Sequence, residues 1–248
     1  MIHVSGLTRS YGALRAVDDL AFDVASGEIL GLVGANGAGK TTCLHCLSGI
    51  LMPDRGRVRV DGVDFALDPT EAKRKLAFIP DTPLLFDHLT VHEHLQFVAR
   101  IFQVSDWRER SEALLEEFEL QAKRDTLPST LSRGMKQKLA ICMAFLHEPL
   151  AILCDEPLSG LDPMGIRNMR ASLQQRATQG AALIVSSHQL ELVAAISDRI
   201  LILDKGRNVL CGSLEEIRAS HPALGAGATL EELFLATIAT PAADGELR

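Results

Sequence analysis

The sequence predicts an α/β fold with a mixed central β-sheet, a flanking antiparallel β-subdomain and an inserted helical subdomain. Three observations carry this prediction. Residues 28–33 (EILGLV) form an apolar, β-favouring run that ends in a glycine-rich turn and passes into a helical pattern over 40–50. Two further apolar runs, 151–154 and 181–185, are uninterrupted, as in parallel strands covered on both faces. Between Pro83 and Pro149 the apolar spacing changes to that of helices.

The remaining elements follow in order. Residues 3–7, 20–24 and 57–60 alternate in polarity and lie near turns such as Asp61-Gly62, which predicts antiparallel strands beside the main sheet. Thr90-x-x-Glu93 is a capping box that opens a helix, and 107–120 carries apolar residues at helical spacing. After Gly212 come a helix at 214–219, a Gly/Ala stretch and a short helix opened by Thr229-x-x-Glu232; residues 241–248 are expected to fray. The chain is thus read as one domain over 1–220 and a short C-terminal helix and tail over 221–248. Residues 1–81 and 150–220 supply the core and the antiparallel part, and 82–149 the helical insertion.

Composition narrows the functions available. A 248-residue chain with 47% hydrophobic and 23% charged residues can bury a large core, and its net charge of −7 argues against non-specific nucleic-acid binding. Its apolar runs fall short of the roughly 20 residues that a membrane helix needs. The N-terminus lacks the pattern of a secretory signal, and five scattered cysteines fit reduced thiols, so a cytoplasmic location is expected.

Residues 34–42 read GANGAGKTT, a match to G-x-x-x-x-G-K-[ST] between a predicted strand and a predicted helix. The core is therefore read as that of a P-loop NTPase. Gly34, Asn36, Gly37, Ala38, Gly39 and Thr42 form a loop whose amides face phosphates. Lys40 is placed to reach the β- and γ-phosphates, and the Thr41 hydroxyl to ligate Mg²⁺. ATP with Mg²⁺ is the expected ligand. Asp155 and Glu156 follow the strand at 151–154, at a carboxyl end where open α/β sheets present ligand-binding residues. Asp155 is assigned to Mg²⁺ through water. Glu156, expected on the other side of an extended chain, is assigned as general base for the attacking water.

Leu131 to Leu139 (LSRGMKQKL), shortly before ILCDEP, resembles the signature motif of ABC-type ATPases. The resemblance extends through Ser159-Gly160-Leu161-Asp162, similar to the D-loop, and Ser187-His188, similar to the switch histidine. Tyr11 stands where the family places an aromatic on the adenine. The resemblance implies two domains facing head to tail, with Ser132 and Gly134 of one completing the γ-phosphate site that Lys40 and Glu156 build in the other. His188 would contact the γ-phosphate and hold Glu156 and water in line, and Asp162 would link the two sites. Three positions depart from the family pattern: Arg133 and Met135 replace glycine and glutamine in the signature, and Asp81 replaces the Q-loop glutamine while keeping an oxygen for Mg²⁺.

Residues 84–95 and 230–234 look like segments of ABC-2-type exporter ATPases. The implied role is to power a separate polytopic permease, as a pair with a second copy or a homologous ATPase subunit, attached peripherally to the inner face of the membrane. The competing readings are a soluble ABC-type ATPase acting on nucleic acid or the ribosome, and an importer ATPase. The first conflicts with the absence of a coiled coil, a zinc insertion or a second ATPase domain in this chain, and no direct nucleic-acid contact is expected. The His88/His92/His94 cluster and the Cys43–Cys46 pair are read as structural residues rather than metal or redox sites.

Overall fold

The computed structural model describes residues 1–225 and 227–239. The chain opens with strands β1 (Ile2–Tyr11), β2 (Leu14–Val24) and β3 (Ile29–Gly34), then helix α1 (Lys40–Leu47), strands β4 (Arg55–Val60) and β5 (Val63–Asp64), helix α2 (Pro69–Arg74) and strand β6 (Leu76–Ile79). Three helices follow: α3 (Val91–Phe102), α4 (Trp107–Glu117) and α5 (Arg133–Phe145). The last part holds β7 (Ala151–Asp155), α6 (Pro163–Thr178), β8 (Ala182–Ser186), α7 (Leu190–Ile196), β9 (Arg199–Asp204), β10 (Arg207–Gly212), α8 (Leu214–Ala219) and α9 (Leu230–Ala239).

Two sheets form, and the polarity pattern explains the division. The central sheet has the order β10-β9-β3-β8-β7-β6, parallel except for β10. Successive residues of its inner strands enter different clusters: Ile152 and Cys154 join one with Leu183 and Val185, while Ala151 and Leu153 join another with Ala182 and Ile184. Alternate side chains leave a strand on opposite faces, so a strand covered on both sides reads as an unbroken apolar run. The second sheet, β2-β1-β4-β5, is antiparallel and buries one face through Ile2, Val4, Leu20, Phe22, Val58 and Val60. The three strands expected to be antiparallel thus form their own sheet. The mixture in the central sheet comes instead from β10, which the sequence pattern did not single out.

Both predicted capping boxes close: Thr90 with Glu93 at the start of α3, and Thr229 with Glu232 at the start of α9. Helices α3 to α5 share one apolar cluster with β6 and β7, through Val91, Leu95, Leu115, Leu139, Ile79 and Ile152. His94 is fully buried, accepts from the Phe86 amide and lies 2.8 Å from the Thr90 carbonyl, so its ring braces the segment before α3. Cys43 and Cys46 are buried, and burial pushes both thiols up. The tail at 241–248 lies outside the described residues.

Candidate functional site

The carboxyl ends of β3, β7 and β8 lie along one edge, because these strands run parallel in adjacent register, with Asp155 opposite Ser186. After β3 the chain turns through 35–39 into α1. Gly39 caps α1 at φ 105°, a left-handed conformation, and a Cβ there would stand 2.2 Å from the Ala16 carbonyl oxygen of β2. Only glycine lets the loop pass so close. The cap has no side-chain hydrogen bond, so no side chain occupies the first amides of α1, the arrangement an anion requires. Gly206 donates to the Ala38 carbonyl at 2.9 Å and braces the loop from the β9–β10 turn.

Lys40 Nζ donates to the carbonyls of Gly34 (2.6 Å) and Ala35 (3.3 Å), spanning the loop it terminates. Burial lowers its pKa, and the charges of Glu156 and Asp155 oppose that shift. The lysine therefore sits in the field of both acids. Asp155, 4% exposed, accepts a 2.6 Å hydrogen bond from Ser186 Oγ. Glu156 adopts φ 49°, so the chain is not extended there, contrary to expectation; a backbone turn separates the two acids, not strand alternation. Ser187 Oγ donates to Glu156 Oε2 at 3.2 Å, and His188 Nδ1 lies 2.8 Å from the same oxygen. With Nδ1 engaged, His188 Nε2 remains to meet a ligand.

A second set of contacts gathers around the start of α5. Ser132 is its N-cap, accepting from the Met135 amide at 3.2 Å. Gly134 packs on the 159–162 loop so closely that a Cβ would meet the Gly160 carbonyl oxygen at 2.6 Å. Asp162 caps α6 by accepting from Gly165 N (3.1 Å) and lies 3.5 Å from Lys138 Nζ; the Gly165 amide, with help from Lys138, holds its carboxyl below the usual range. Arg133 Nη2 donates to Ser159 Oγ at 2.8 Å and lies 3.4 Å from Asp81 Oδ1. Tyr11 ends β1 half-exposed, with the Arg9 guanidinium 5.3 Å from its ring centre.

Thr41, Asp81 and Asp155 line one groove of about 650 Å³ that continues along the apolar residues Leu84, Leu85, Val98 and Phe102. One hydroxyl and two carboxylates are hard oxygen donors, the set Mg²⁺ uses together with nucleotide phosphates, so the residues present fit that ion. Ser186, which holds Asp155, was missed in the sequence, and Ser187 was singled out there only beside His188, without its role toward Glu156. The signal available was the polar pair closing the apolar run before His188.

A glycine loop at the end of a central strand, a lysine spanning that loop and two acids at the end of a parallel strand of the same sheet define a P-loop nucleoside triphosphatase. Residues 17–159 match the family model described as ABC transporter, and the chain belongs to that family, as an ATP-binding and ATP-hydrolysing subunit. It is 33% identical over 237 residues to the ABC-type transporter ATP-binding protein EcsA of Bacillus subtilis (strain 168), covering 95% of each chain. It is 35% identical over 209 residues to the SkfA peptide export ATP-binding protein SkfE of the same organism, covering 84% of this chain and 87% of that protein. A solved structure of the ATP binding subunit of an ABC transporter superposes with a TM-score of 0.92 at 35% identity, covering 96% of this chain and 99% of that one.

Proposed function

We propose that this chain drives a separate polytopic membrane permease, an exporter, by the ATP-dependent closure of a head-to-tail pair of ATPase subunits. The observation that carries the reading is the grip of His188 and Ser187 on the Glu156 carboxylate, in the field of Lys40. In the reaction Lys40 exchanges its loop carbonyls for the β- and γ-phosphates, and the amides of 34–42 surround them. Bound Mg²⁺ would neutralise phosphate charge, held by Thr41, by Asp155 through water and by Asp81. Glu156 takes a proton from the attacking water as the new oxygen–phosphorus bond forms, and the bond from the γ-phosphorus to the ADP oxygen breaks. His188 orients Glu156 through Nδ1 and meets the γ-phosphate through Nε2. Tyr11 stacks on adenine. Ser132 and Gly134 of the second subunit close the site from the far side, and Asp162 links the two sites.

The Glu156→Gln variant tests the catalytic part: turnover should fall on the order of 10²–10⁴-fold with Mg–ATP binding retained. Unchanged turnover would remove Glu156 from the chemistry.

The groove running from Thr41 to Phe102 supports the partner assignment. Its rim presents Leu84 at 91% exposure, with Phe86 and Ile101 also exposed nearby, an apolar surface suited to an inserted segment of a permease. Among the described residues no helix is long and apolar enough to cross a membrane, and the chain would be held at the inner face through that permease. The similarity to SkfE, a peptide export ATP-binding protein, favours export. Affinity purification from detergent-solubilised membranes should bring down a polytopic protein in stoichiometric amount; recovery of only ribosomes or soluble proteins would end the transport reading.

A further inference from the structure

Two side chains one turn apart on α5, Arg133 and Gln137, both reach the segment that follows β6. Gln137 is buried, and its Nε2 donates to the Pro80 carbonyl at 3.1 Å. Arg133 approaches Asp81 Oδ1 at 3.4 Å while donating to Ser159 Oγ, and its stem lies against Gly160, where a Cβ would meet its Cγ, Cδ and Nε at 3.2 Å. Helix stability does not account for the arginine. A cation in the first helical turn opposes the helix dipole, and α5 has no acid in that turn to offset it. Asp81 supplies the opposite charge from another loop. The two departures at Arg133 and Asp81 are therefore one ion pair across the site.

We infer that Arg133 is a positioning residue that holds the Asp81 carboxylate on the α5 side, so that Asp81 serves two cations in turn: Arg133 before nucleotide binds, and Mg²⁺ once Mg–ATP arrives. The Arg133 side chain is 64% exposed and that of Asp81 45%, and an ion pair so open to solvent is weak enough to be exchanged. Because Arg133 also holds Ser159, releasing Asp81 leaves the signature helix fixed to the 159–162 loop. The tie to residues 80–81 is then reduced to the Gln137 hydrogen bond. Binding of the metal would thus loosen one of two links between α5 and the loop that lines the groove. The inference rests on the proposed role of Asp81 toward Mg²⁺.

The test is titration calorimetry of ATP, with Mg²⁺ and separately with EDTA, on protein carrying Glu156→Gln to block turnover. Arg133→Gln keeps an amide donor for Ser159 and removes the charge. It should tighten Mg–ATP binding about two- to five-fold, the range expected for loss of an exposed competing pair. Binding of ATP in EDTA should stay unchanged. In the Asp81→Asn background the same substitution should have no effect, since paired residues are non-additive. An effect of equal size in EDTA, persistence in the Asp81→Asn background, or unchanged or weaker Mg–ATP binding would each overturn the inference. If Asp81→Asn alone leaves Mg–ATP affinity unaltered, Asp81 is not a metal ligand and the inference falls with that role. The Glu156 turnover assay still judges the ATPase mechanism independently.

Discussion

His147 lines the groove beneath α3 and stacks on Phe102, with ring centres 3.8 Å apart and planes 18° from parallel. Neither ring nitrogen meets a partner at full hydrogen-bonding geometry among the described residues. The Leu76 backbone nearby offsets only part of what burial removes, and the imidazole falls from 6.5 to about 4. A histidine depressed in the native state is protonated first in the unfolded chain, so its contribution to stability is present above about pH 6.5. That contribution is lost progressively as the pH falls from about 6.5 to about 4. At pH 5 the linkage integral gives a cost of about 2 kcal/mol relative to pH 7.5. His147→Phe keeps the stack and removes the titration. Urea unfolding of both proteins at pH 7.5 and pH 5 isolates the difference, because the other acid-sensitive groups are common to them. The wild type should lose about 2 kcal/mol more than the variant over that interval. Parallel losses would show that the ring is solvated or hydrogen-bonded in the folded protein and that the groove wall is not packed as described.

Two other substitutions probe the site and its rim. Gly39→Ala forces a side chain into a left-handed residue 2.2 Å from the Ala16 carbonyl and should cost about 1–3 kcal/mol and abolish ATP binding; denaturant unfolding and nucleotide titration check both, and retained affinity would mean the loop can relax away from β2. Leu84→Asp changes a 91% exposed side chain, so the melting temperature should hold while recovery of a membrane protein in affinity purification collapses; undiminished recovery would move the docking surface elsewhere.

Elements whose local pattern matched their final surroundings were legible in advance. The strands at 29–34, 151–155 and 182–186 announced themselves because burial on both faces demands continuous apolar residues. The caps at Thr90 and Thr229 were legible because a capping box satisfies its donors within four residues. Strand β9 was overlooked although its Ile200-Leu201-Ile202-Leu203 run carries the same signal, and β10 had little signal of its own because it lies at the sheet edge and is only partly buried. The antiparallel strands were recognised, but their separation into a second sheet depends on pairing partners distant in the chain.

The position of the glycine-rich loop between β3 and α1, and that of the Asp155-Glu156 pair at the end of β7, could be read from the sequence alone. A loop that surrounds phosphates with amides must be built from contiguous residues of fixed type, and that constraint is written locally. Tertiary structure decided what each acid does with its oxygens. Ser186 reaches Asp155 from a neighbouring strand, the left-handed turn at Glu156 swings it to His188, and Arg133 meets Asp81 across 52 positions of sequence. Such contacts join segments that the chain brings together only after the sheet and the helical insertion have packed, and no local periodicity encodes them.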